Sequence, residues 1–184
     1  MNFSSEILLG FINTLRGYLW HTTSLSAFGM IQKTGKILVD RRDLESTFRS
    51  SLCSNCFEQG AISFFDLVTH RDRDLIGDEL RLHSKWPNVM FFHKPFTVFL
   101  GVPLDVVASQ ILFYPELKRR CGLGGIIPRI EVCHVGDLDF SEINQFGLWR
   151  SDQPESIVLT DSADELTALI PKHVPTSRGK IGLA

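Results

Sequence analysis

The order of short apolar runs along this chain limits its fold more than any other feature. Strand-like runs recur at residues 18–22, 37–39, 61–67, 89–92, 96–101, 126–135, 138–143 and 156–160. Helical stretches are fewer. They do not alternate with the strands as a doubly wound βαβ sheet requires, so the pattern predicts an α+β fold. In residues 4–16, Ile7, Phe11 and Leu15 recur every four positions beside Leu8 and Ile12, giving one apolar helix face that ends at Gly17. Ser24 is placed to cap a second helix with the stripe Leu25, Phe28 and Ile31, and Gly35 suits its left-handed end. Pro103 opens an expected third helix to about residue 113, with Val106, Val107, Gln110 and Ile111 facing inward. Ser162-x-x-Glu165 is a capping box for a last helix to residue 170.

Residues 40–60 are polar and are expected to form a long surface connection, a kind of segment that often carries function. Residues 69–88 are highly charged and expected to be helical in part, and residues 171–184 form a loose tail. At 184 residues the whole chain is expected to be one domain, and 43% hydrophobic content supplies a core rather than disorder. Net charge is −2, so no global basic field draws in nucleic acid or a membrane surface. The N-terminal stretch lacks the cationic start of a secretion leader and contains Glu6, and no apolar run is long enough to span a bilayer. A cytoplasmic protein with free thiols and no membrane contact is the expectation. Cys53-x-x-Cys56 has no second pair at comparable spacing, since Cys121 and Cys133 stand twelve positions apart, so no metal is expected.

Three stretches combine residue types that suit chemistry. Leu19-Trp20-His21-Thr22-Thr23 puts an imidazole at the mouth of a strand-to-helix turn. Gly60-Ala61-Ile62-Ser63-Phe64-Phe65-Asp66 is an aromatic strand ending in an acid. In Pro128-Arg129-Ile130-Glu131-Val132, alternation turns Glu131 away from its apolar neighbours, toward solvent or a polar cleft.

In this order the three stretches resemble the ADP-ribosyltransferase superfamily, particularly its histidine–aromatic–glutamate branch and the DNA-modifying toxins of bacterial toxin–antitoxin modules. The resemblance covers about a quarter of the chain. It implies a split β-sheet core with flanking helices, and transfer of ADP-ribose from NAD to a macromolecular acceptor, nucleic acid or protein. A toxin or phage-defence role, with an antitoxin as possible protein partner, is implied in the same way. Glu131 would be the catalytic residue, stabilising the oxocarbenium-like ribose formed as nicotinamide leaves and orienting the nucleophile. His21 would hold the adenosine-side ribose, and backbone groups of Thr22 the nicotinamide amide. Phe64 or Phe65 would stack on nicotinamide. Arg41, Arg42 or Arg49 would meet the pyrophosphate, because a guanidinium fork suits phosphate oxygens.

The chain departs from the family at two places. Phe stands where Tyr is usual in the second stretch, and Arg129 takes the position of the acid or amide two residues before the catalytic Glu, which argues against arginine as acceptor. Water as acceptor, or a binding module that has lost the reaction, remain the alternatives. Each residue also has a plain structural reading: His21 as a turn histidine bonded locally, Glu131 as a surface strand residue, and Phe64 and Phe65 as core.

Overall fold

The computed structural model describes residues 5–39, 60–69, 94–121 and 130–171. The segments expected as a surface connection, as a charged helical stretch with a strand at 89–92, and as the tail lie mostly outside them. So do Arg41, Arg42, Arg49, Cys53 and Cys56.

Among the described residues, seven strands form one antiparallel sheet in the order β5-β6-β3-β1-β4-β8-β9. They are β1 (Leu19–Thr23), β3 (Ala61–Asp66), β4 (Phe96–Val102), β5 (Ile111–Leu112), β6 (Glu131–Val135), β8 (Gln145–Arg150) and β9 (Gln153–Thr160). A two-stranded ladder joins β2 (Lys36–Ile37) to β7 (Leu138–Asp139). The helices are α1 (Ser5–Thr14), α2 (Leu25–Thr34), α3 (Leu104–Val107), α4 (Tyr114–Cys121) and α5 (Ala163–Leu169). The α+β expectation agrees with this mixed architecture around a large antiparallel sheet.

Both faces of the sheet are covered, because alternate residues of the central strands are apolar on both sides. On one face, Leu19, Phe64, Val98, Leu100, Val132 and Leu148 pack beneath Phe28 and Ile31 of α2 and Leu166 of α5. On the other, Trp20, Phe65, Phe99 and Trp149 pack beneath Phe11 and Ile12 of α1, with Leu15 just beyond the helix. A smaller cluster on this second face joins Ala61 and Cys133 to Leu117 of α4.

Local signals behave as expected at α2. The Ser24 hydroxyl accepts from the Ala27 N–H at 3.2 Å, and Gly35 takes φ 68° while its N–H donates to the Ile31 carbonyl. The third helix departs from expectation. α3 ends after one turn, a short 3-10 turn follows, and Ile111 leaves to pair with His134 as β5. Val106 and Gln110 are therefore exposed rather than inward. Branched side chains at 106, 107 and 111 weaken a helix there, and an available strand edge on β6 captures the chain.

α4 forms immediately afterwards, with Glu116 bonded to Arg119 at 2.6 Å and to Arg120 at 2.8 Å. Hydrogen bonds from Arg119 and then Arg120 lower the Glu116 carboxyl from 4.5 to about 2. Protonation therefore favours the unfolded chain. This contribution is whole above pH 4.5 and is lost as pH falls toward 2. Glu116→Gln is expected to remove that window locally: amide exchange in α4 should become insensitive to pH across it, once corrected for intrinsic rates, while the sheet keeps its wild-type behaviour. Pairs as exposed as these contribute little to global stability, so the midpoint of unfolding near neutral pH should not move measurably.

Candidate functional site

Strands β1 and β3 fork. They pair only at Leu19↔Asp66 and Trp20↔Phe65, whereas β1 continues along β4 to Thr23↔Val98 and β3 continues along β6 to Ala61↔Val135. Past Trp20 the edge of β1 that faces β3 carries backbone groups outside this ladder. The His21 ring bridges the fork: its Nδ1–H donates to the Ser63 carbonyl oxygen at 3.1 Å. A carbonyl can only accept, so this bond places the proton on Nδ1.

Ser63 also faces the third of the three stretches. Its hydroxyl donates to Glu131 Oε1 at 2.6 Å. Glu131 is only 3% exposed, so the sequence alternative of a solvent-facing strand residue does not hold. Ser63 and Glu131 lie on the α1/α4 face, between the Trp20–Phe65 cluster under α1 and the Ala61–Cys133 cluster under α4. The pair makes a polar break between two apolar patches. A buried carboxylate there must be held by hydrogen bonds, and the Ser63 hydroxyl supplies one. Thr22 lies on this same face, opposite Phe99.

His21 does not. Its register partner Leu100 belongs to the α2 side, and its ring stands 5.7 Å from Phe64 on that side. Glu131 pairs with Phe65 on the opposite side. His21 and Glu131 thus project from opposite faces of the sheet, and the backbone and hydroxyl of Ser63 connect them across the fork. The physical reason is parity. A strand turns alternate residues to alternate faces, and the ladder β1–β3–β6 places Trp20, not His21, in line with Phe65 and Glu131.

The two phenylalanines are core residues on opposite faces, 1% and 5% exposed for Phe64 and Phe65. Phe64 also meets His134 at 6.4 Å. The His134 Nδ1–H donates to the Gly136 carbonyl at 3.2 Å, and its buried Nε2 has no hydrogen-bond partner among the described residues. Ser63 is the residue that motif reasoning passed over. Its signal was present as a lone hydroxyl in the apolar strand AISFFD, the strand-type residue best able to serve a neighbouring acid.

Cys133 corrects the expectation of free thiols: it is disulfide-bonded. It sits directly opposite Ser63 in the β3–β6 ladder. Among the described residues, no group of three or more His, Cys, Asp or Glu is gathered to hold a metal, and no helix is long and apolar enough to cross a membrane.

No protein-family model, no curated protein and no solved structure matches the chain.

Proposed function

We propose that the chain transfers ADP-ribose from NAD to a macromolecular acceptor, nucleic acid or protein, with Glu131 as the carboxylate facing the reacting ribose. The observation that carries this reading is the Ser63–Glu131 hydrogen bond of 2.6 Å in a polar break beside the β1–β3 fork. A carboxylate fixed by a hydroxyl and flanked by apolar packing is preorganised, and its field acts through little water. As the bond from nicotinamide to ribose lengthens, positive charge grows on the sugar, and a fixed carboxylate stabilises that charge more than it stabilises the neutral ground state. Nicotinamide leaves with the bonding electron pair, and the acceptor's nucleophilic atom takes its place on the ribose carbon. In this reading Glu131 also receives the acceptor's proton. Backbone groups of Thr22 at the open part of β1 suit the donor and acceptor of a carboxamide. The likeness to the ADP-ribosyltransferase fold and to bacterial toxin or defence effectors rests on the three sequence stretches.

A second reading, a non-catalytic module of the same kind that binds NAD or a partner, is favoured by one specific observation: His21 and Glu131 project from opposite faces. The two readings separate on Ser63→Ala. If Glu131 is catalytic, losing a hydrogen bond to a charged group costs about 1.5–3 kcal/mol, so nicotinamide release should fall roughly 10–100-fold with NAD affinity little changed. If the chain only binds, nicotinamide is released by neither protein.

A further inference from the structure

We propose that the basic helix α4 docks a single-stranded nucleic acid as the acceptor; the acceptor role rests on Glu131 being the site carboxylate. Lys118, Arg119 and Arg120 are consecutive on α4 and share it with one carboxylate, Glu116. The Arg119 and Arg120 side chains are 72% and 43% exposed, and Lys118 is exposed as well. Glu116 accepts from Nε and Nη2 of Arg119 and from Nε of Arg120. Among the described residues, Lys118 joins no ion pair. The chain as a whole carries −2, so this is a local cationic patch rather than part of a general field.

The patch stands beside the site. Leu117 is fully buried and seats α4 on Ala61 and Cys133. Cys133 shares a sheet face with Glu131, two positions and roughly 7 Å along β6. β5 runs antiparallel to β6 through Ile111↔His134 and Leu112↔Cys133, so the chain heads toward the Glu131 end as it enters α4. Phe113 stands at that entry, 36% exposed, its carbonyl accepting from the N–H groups of Glu116 and Leu117.

The chemistry favours nucleic acid. Guanidinium forks suit phosphate oxygens, and pairs as exposed as those with Glu116 are weak enough to yield to them. An exposed ring beside a cationic strip is a stacking platform, which an unpaired base can reach and a paired one cannot. Lipid is not served, because the aliphatic anchor of the helix, Leu117, is turned to the sheet.

The test measures fluorescence anisotropy of oligothymidylate and oligouridylate of about 15 nucleotides with the full chain, without NAD, and then label transfer from NAD to each. Binding should weaken with salt at a log–log slope of about −2, as three phosphate contacts to a single strand imply. Lys118→Ala, Arg119→Ala and Arg120→Ala together should weaken binding and transfer about tenfold or more and flatten the slope, with Tm unchanged. Phe113→Ala should cost about tenfold in affinity without altering the slope. Glu116→Gln, which removes the competing carboxylate, should tighten binding about twofold or more. The tighter-binding oligonucleotide tells a DNA acceptor from an RNA acceptor. The proposal is overturned if neither oligonucleotide binds at about 50 mM salt, if the triple variant binds like wild type, or if a duplex of equal length binds as tightly. Label passing to added protein and not to the oligonucleotides overturns it too. Should the variants shift binding as stated while no label leaves NAD, the docking surface stands and the proposed activity fails.

Discussion

Glu131→Gln is expected to lower ADP-ribose transfer by about a thousandfold or more while leaving the fold intact, because the substitution removes the charge and keeps the size of the side chain. The amide has the shape of the carboxylate, and its carbonyl oxygen can still accept from the Ser63 hydroxyl, which stands 2.6 Å from Oε1 in the native protein. Removing even one preorganised neutral donor at a reacting centre commonly costs about 10²–10³ in turnover, and a full charge beside a developing cation is worth more. The loss should fall on turnover, with NAD affinity changed by only a few-fold, since the interaction exists mainly in the transition state. Kinetics of nicotinamide release on both proteins, beside their thermal unfolding, check this. A loss of turnover matched by a collapse of stability would assign Glu131 to structure.

The second large effect is on stability. At Gly101 an added methyl would sit 2.9 Å from Cη2 and Cζ3 of Trp20 and 3.0 Å from Cβ of Gln145. The indole cannot step aside: it is fully buried, packs edge-on against Phe99 at 6.2 Å, and donates from Nε1 to the Leu15 carbonyl. Gly101→Ala should therefore destabilise the protein by about 1–3 kcal/mol, the usual cost of overpacking. In a chain of this length that corresponds to a fall in Tm of roughly 2–4 °C per kcal/mol. Trp20 is the last β1 residue paired with β3, so displacing it also disturbs the fork beside the site. Adding Gly101→Ala to Trp20→Leu should cost less than adding it to wild type, a coupling of about 1 kcal/mol or more in a double-mutant cycle. Strict additivity would show that the contact is not what constrains position 101.

These two positions also show what could and could not be read from the residues alone. Ser24 and Gly35 announce the ends of α2 because caps are local chemistry: one hydroxyl, one left-handed residue. The strand at AISFFD was legible for the same reason, as a short apolar run with its boundaries marked. β8 was not legible. Gly147 interrupts its apolar pattern, yet a side chain there would press on Leu159 at 3.0 Å and on Phe99 at 3.1 Å, so the glycine is set by neighbours distant in sequence. α4 went unseen because Pro115 and a charged run disguise a helix whose buried anchor, among its described side chains, is Leu117.

The candidate site divides along the same line. That the strands of His21 and Glu131 and the aromatic strand carrying Ser63 would come together is implied only by the family resemblance of the three stretches. Which faces they turn outward depends on registers fixed by the whole ladder from β1 through β3 to β6. His21 consequently meets Ser63 through the backbone carbonyl, and Glu131 meets it through the hydroxyl. Cys133 depends on a pairing that sequence spacing does not specify.

Whether Glu131 and its hydrogen-bonded partner act on NAD is tested most directly by following the ADP-ribose itself. The chain is incubated with NAD labelled on its adenylate phosphate in the presence of DNA, RNA and protein, and the macromolecular fraction is separated and counted. Label is expected in that fraction with wild-type protein and none above background with Glu131→Gln. Label remaining wholly in intact NAD, or reaching macromolecules equally with both proteins, would contradict it.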